Sequence, residues 1–181
     1  MRIFPDLDHG LEWCEEQLLE MGRITTLHVP VTLRAQLADS GFAKANTARL
    51  MEFLERVDAQ PGEVLIRQGD EADRLYFIER GTVSVYLEVA DGQQVRLQTL
   101  GFGTAVGEMG LYLGARSTTP VVAGASVIAD SAVTAYRLTQ ESLLEMKNKE
   151  PELAATFHEF VAHLLSERLS ATTRTLAAVL R

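Results

Sequence analysis

Between Gln60 and Leu138 the apolar residues stop recurring every third or fourth position and begin to alternate, and no other feature limits the fold as much. The stretch TVSVYLEV sets Val83, Val85, Leu87 and Val89 against Thr82, Ser84, Tyr86 and Glu88, the pattern of a strand with one buried face. EVLIRQ, RLYFIE, QVRLQTL, VVAGASVIA and AVTAYRL read as further strands. The separators are turn chemistry: Pro61-Gly62, Gln68-Gly69-Asp70, Gly81 and Asp91-Gly92, the last a hairpin signal because its turn needs positive φ. Short strands this close together, with no helical pattern between them, cannot be linked by crossover helices. They predict an antiparallel β-roll or jelly roll, so the fold class is mainly β with flanking helices.

Helical periods return on both sides of the roll. In residues 6–22, Leu7, Leu11, Cys14 and Leu18 fall on one helical face, with Asp6 or Asp8 as cap. A second helical zone is expected from about Val31 to Val57, with Asn46 as a cap and Leu50, Leu54 and Val57 repeating behind it. After the roll, Thr139 can cap a short helix to about Lys147. Pro151 suits the first turn of a long helix with Leu153, Phe157, Phe160, Leu164 and Leu176 on or near one stripe. The expected division is 1–24 as an amphipathic helical segment, 25–58 as a helical lead-in, 59–138 as the β-roll and 139–181 as C-terminal helices.

Several functions are disfavoured by what the chain contains. A formal charge of −8 and a pI near 5.0 repel phosphate backbones, so a nucleic-acid polymer is not an expected partner, though a small anion is allowed where positive charge gathers. Cys14 is the sole cysteine, which excludes an internal disulfide and suits a reducing compartment. No run approaches the roughly 20 apolar residues that span a bilayer, and the N-terminus has no leader pattern, so a cytoplasmic chain is expected. His9, His28, His158 and His163 all lie outside the roll, which leaves it without the imidazoles of a metal enzyme; no metal is expected. HEFVAH spaces its histidines five apart, about 140° around a helix, and reads as two surface residues. GFGTAVG is one residue too long for a dinucleotide fingerprint. No nucleophile stands near an activating histidine, and the chain is not expected to be an enzyme.

One stretch is unusual in charge. From Leu97 to Ala129 the only charged side chains are Glu108 and Arg116, inside VGEMGLYLGARST. Gly107 permits close backbone approach, and GEMGLYL can form a short helical turn with outward N–H groups. Arg116 offers a fork suited to phosphate, and Ser117 and Thr118 add hydroxyl donors. A ligand carrying a phosphate beside a free hydroxyl would employ both charges. On spacing alone, mutual pairing of Glu108 with Arg116 to close a loop is an equal reading.

The stretch LGFGTAVGEMGLYLGARST resembles the phosphate-binding cassette of cyclic nucleotide-binding domains, the family of kinase regulatory subunits, gated channels and catabolite activators. The resemblance extends over about residues 46–175, with PGEVLIRQGDEADRLYFIERGTVSVYL matching the opening strands. It implies a non-enzymatic sensor for cyclic AMP or cyclic GMP. In such a domain Gly107 and Glu108 sit at the cassette, Glu108 takes the ribose 2′-hydroxyl, and Arg116 takes the cyclic phosphate. Ser117, Thr118 and backbone N–H groups near Met109 and Gly110 assist, and the last helix serves as lid or as a dimer seam. The stretch departs from the family in having Ala115 before Arg116 and one residue fewer between acid and base. The alternative is therefore a degenerate, nucleotide-blind roll that mediates protein interaction or dimerisation. RIFPDLDHGLEWCEEQLLE resembles the end of the STAS domain of bacterial sulfate permease-type transporters, which implies the regulatory part of an anion transporter at the cytoplasmic membrane face.

Overall fold

In this computed structural model the described residues are 32–39, 42–89, 92–114 and 121–179; they belong to one compact unit starting at Thr32. The expected helix over 6–22, with Cys14, lies outside the described residues. Two short helices lead in, α1 (Leu33–Asp39) and α2 (Lys44–Leu50), followed by a 3-10 turn at Met51–Phe53. Eight strands follow: β1 (Glu55–Ala59), β2 (Val64–Ile66), β3 (Arg74–Arg80), β4 (Val83–Glu88), β5 (Gln94–Leu100), β6 (Ala105–Val106), β7 (Ser126–Ala129) and β8 (Val133–Thr139). Helix α3 (Glu108–Gly114) interrupts them, and α4 (Gln140–Lys149) and α5 (Pro151–Val179) close the chain.

The strands make two four-stranded sheets in the orders β1-β8-β3-β6 and β2-β7-β4-β5, and every pairing is antiparallel. The expected mainly-β roll with flanking helices is the observed fold. Within the first sheet β3 is buried on both faces, which explains why RLYFIE is apolar without alternation. Leu75 and Phe77 face a helical core with Leu37, Leu143, Met146, Leu153 and Phe157, while Tyr76 and Ile78 face the roll interior with Val83, Val127 and Val133. At the β4–β5 hairpin Gly92 has φ +72, as its turn requires, and its N–H donates to the Val89 carbonyl at 2.9 Å.

Three expectations need correction. The helical zone does not reach Val57: helix α2 ends at Leu50, and Val57 sits in β1 opposite Ala135. Alternation of Glu55, Val57 and Ala59 over ERVDA suits an outer strand of a sheet, and pairing with β8 overrides the local helical spacing. Asn46 is not a cap, since α2 begins at Lys44 behind Ala43, which makes no side-chain capping bond. Ser84, assigned to the polar face of β4, is fully buried; its hydroxyl reaches Thr99 Oγ1 at 3.0 Å and donates to Asp130 Oδ2 at 2.7 Å. By contrast Thr139 caps α4 as expected, its Oγ1 accepting from the Ser142 N–H at 3.1 Å. Among the described residues no helix is long and apolar enough to cross a membrane.

Candidate functional site

Strand β6 is two residues long and pairs with β3, Val106 opposite Tyr76 and Ala105 opposite Phe77. It delivers the chain to Gly107, whose φ is +86. A Cβ there would lie 2.6 Å from the Arg74 carbonyl oxygen and 2.7 Å from Ile66 Cδ1, so only glycine can turn the chain this close to β3. One turn later Gly110 lies so near Ala72 that a Cβ would come within 2.3 Å of the alanine methyl. Leu111, fully buried, pins the same helix into the helical core. Helix α3 is therefore held by packing on both sides, and its first residue, Glu108, is 3% exposed.

Glu108 is not alone. Its Oε1 accepts from Arg168 NH1 at 2.6 Å, and Arg168 NH2 donates to the Ala105 carbonyl at 2.5 Å. One guanidinium thus joins the strand before the turn, the acid after it, and the distant helix α5. The carboxylate keeps further lone pairs, since two oxygens together offer about four acceptor sites. A second link joins the same two helices: Tyr112 Oη and His158 Nδ1 are 2.7 Å apart, the tautomer deciding which donates. Burial pushes the Tyr112 hydroxyl up to about 12 and, with Lys147 adding to it, holds His158 below its ordinary value.

Above Glu108 opens a cavity of about 480 Å³, within the roughly 300–1,000 Å³ usual for small-molecule sites. Gly107, Glu108, Met109, Gly110 and Leu113 form one side, and Leu65, Ile66, Val85, Leu97, Leu100 and Val127 form an apolar wall. Arg67, Asp70 and Glu71 line it between β2 and β3, Arg74 at the start of β3, and Arg168 reaches in from α5. Arg74 donates to Asp73 Oδ1 at 2.5 Å, a hydrogen bond that holds its guanidinium above the ordinary pKa.

The sequence pattern described as the cyclic nucleotide-binding domain matches residues 56–150, more than half of the chain. The chain belongs to the cyclic nucleotide-binding domain family. Glutaminase 1 of Bradyrhizobium diazoefficiens is 32% identical over 170 residues, which is 93% of this chain and 26% of that protein. The cAMP-dependent protein kinase regulatory subunit of Debaryomyces hansenii is 35% identical over 94 residues, 51% of this chain and 19% of that one. Among solved structures, a cyclic nucleotide-binding domain from Methylobacillus flagellatus superposes with a TM-score of 0.67 at 20% identity, covering 76% of this chain and 74% of that chain. The chain spans about a quarter of the glutaminase and a fifth of the kinase subunit.

In this cyclic nucleotide-binding domain, four of the expected site residues come together on one side of the cavity: Gly107, Glu108, Met109 and Gly110. Arg116, Ser117 and Thr118 lie outside the described residues, as does the Ala115 that precedes them. Sequence reasoning missed Arg168, because its partner is 60 residues away and no local spacing links them. The reading of His158 as a surface residue is also corrected: it is half-buried and bonded to Tyr112, while His163 is exposed. Among the described residues no cluster of His, Cys, Asp or Glu could hold a metal ion.

Proposed function

We propose that the cavity takes a 3′,5′-cyclic purine nucleotide and that the chain is a sensor rather than a catalyst. The observation that carries this reading is a single cavity with Glu108 and the glycines of α3 at one side, an apolar wall at the other and helix α5 reaching in. A nucleotide has the same division, a polar sugar-phosphate and an apolar base. The described lining carries three cations, Arg67, Arg74 and Arg168, against three acids, Asp70, Glu71 and Glu108. A phosphodiester needs further positive charge, and Arg116, with Ser117 and Thr118, is its proposed source. Glu108 is proposed to accept from the ribose 2′-hydroxyl through lone pairs that Arg168 does not use.

Binding at Glu108 acts on α5 through Arg168, and any shift of that helix is bounded by the ligand's different affinities for its two positions. A ligand at about a hundred times its dissociation constant adds roughly 2.7 kcal/mol to stability, so thermal unfolding with cyclic AMP and cyclic GMP tests the reading directly. Arg116→Ala is expected to weaken binding about ten- to over a hundredfold, the cost of a lost charge-assisted hydrogen bond. No stabilisation by either nucleotide overturns the proposal. It would favour the nucleotide-blind interaction module, a second reading supported by Glu108 already having Arg168 as partner.

We infer further that the domain regulates a larger protein in cis. The glutaminase match, nearly the whole of this chain against a quarter of that protein, supports attachment to an enzyme. The anion-transporter output rests on the STAS resemblance of residues 2–20 alone, which lie outside the described residues. Expression of the full reading frame with cyclic nucleotide added, assayed for glutamine hydrolysis and for anion uptake, separates the two outputs.

A further inference from the structure

Strands β4 and β5 do not keep one register. Val85 stands opposite Gln98, but the next pair is Tyr86 with Arg96, so Leu97 is an extra residue on β5. Such a bulge bends its strand and re-aims side chains. In an unbroken ladder, residues 97 and 98 would point to opposite faces of the sheet. Here Leu97 and Gln98 both line the cavity, together with Val85 across the strand pair. Gln98 is exposed, and it is the one uncharged polar side chain among the described residues that line the cavity. Its neighbours on the wall, Val85, Leu97, Leu100 and Val127, offer only apolar surface.

Resting on the nucleotide reading above, we propose that Gln98 reads the edge of the purine and makes this site prefer adenine to guanine. A carboxamide presents an acceptor and a donor side by side. Adenine presents its 6-amino donor beside an acceptor on either edge, N7 on one and N1 on the other, so the amide is matched whichever edge faces β5. Guanine places two acceptors, O6 and N7, together on one edge, where the amide oxygen would face an acceptor. Only guanine's other edge fits. An apolar wall that fixes a base by its faces alone could not tell the two purines apart. The bulge supplies the polar group that can.

The test compares wild type and Gln98→Leu by calorimetry with three ligands: cyclic AMP, cyclic GMP and the 3′,5′-cyclic phosphate of purine riboside, which lacks the 6-amino group. Wild type is expected to bind cyclic AMP tightest. Gln98→Leu should lose about 5- to 150-fold for cyclic AMP, the range for one bidentate base contact, with a smaller loss for the deamino ligand, which keeps only the ring-nitrogen acceptor. Unchanged cyclic AMP binding, equal losses for cyclic AMP and the deamino ligand, or a wild-type preference for cyclic GMP would each overturn the assignment of Gln98 while leaving the nucleotide site standing. Binding of none of the three by wild type would instead bring down the nucleotide reading itself. Gln98→Glu, of the same shape, guards against a folding defect in the leucine variant and should also weaken cyclic AMP, because its carboxylate accepts from the 6-amino group but has no donor for the ring nitrogen.

Discussion

Helix α5 is continuous from Pro151 to Val179, yet its two halves are attached to the roll in different ways. In the first half, Leu153, Ala154, Phe157 and Val161 are all at most 3% exposed, and Phe157 meets Phe77 edge to face with ring centroids 6.3 Å apart. From Ala162 on, no described side chain is buried: Leu164 and Leu165 pack against the edge of the core, Leu169 is 68% exposed, and Arg168 reaches Glu108. Apolar burial is non-directional and lost only when the core opens, whereas one guanidinium fork can exchange partners without unfolding anything. The contrast describes an anchor and an arm on one rod, the arm held by a polar contact to the acid of the cassette.

The largest expected effect tests the anchor. Phe157→Ala removes a fully buried ring that no neighbour can replace and should cost about 3–5 kcal/mol of global stability by denaturant unfolding. A loss below about 1 kcal/mol would mean that this half of α5 is not anchored by its core side chains, and the comparison would fail at its first term.

That anchor is legible in the sequence. The stripe Leu153, Phe157, Phe160 and Leu164 has helical spacing, and the first two members are fully buried while the others pack at the margin; the Leu176 side chain lies outside what the structure describes. The roll was legible for a similar reason, since a strand's faces repeat every two residues wherever its sheet has one wet side. β6 was missed because two residues, Ala105 and Val106, are too few to show a period. The cassette itself was legible because Gly107, Glu108 and Gly110 act within four consecutive positions. Arg168 and Gln98 were not, since their roles depend on a 60-residue reach and on a register slip in a ladder, and neither leaves a local spacing.

The second prediction breaks the arm. Arg168→Met keeps the length and apolar stem but leaves Glu108, whose side chain is 5% exposed, without this partner. A buried polar group deprived of its partner costs about 1–3 kcal/mol, and the quarter-exposed Arg168 places this pair below a fully buried one. The sharper readout is local. Amide exchange should quicken over residues 164–170 and stay slow over residues 153–161, because opening a subregion exposes only its own hydrogen bonds. Equal acceleration along the whole helix would make α5 one cooperative body and remove the distinction between its halves.

The smallest effect concerns the junction, where His158 follows Phe157 on the anchored half and meets Tyr112 of the cassette helix. The groups around it are the Tyr112 hydroxyl, the Phe157 ring and the Lys147 ammonium, and none of them carries a negative charge. Burial first, then Lys147, sets its folded pKa below the ordinary 6.5. Between that lowered value and 6.5 the unfolded chain binds more protons than the folded one, so stability rises with pH through this window. The contribution is full above 6.5, is lost as pH falls through the folded pKa, and changes no further below it. Asp58, held down by its Thr134 hydrogen bond and by Arg56, acts only in the more acidic carboxylate range, so the two windows stay apart. Melting curves of wild type and His158→Gln taken from pH 7 to pH 5 should therefore converge as acid is added, the wild type losing the larger share. Parallel curves would show that His158 titrates as freely in the fold as outside it, and that the cassette helix touches the anchored half of α5 through a contact indifferent to charge.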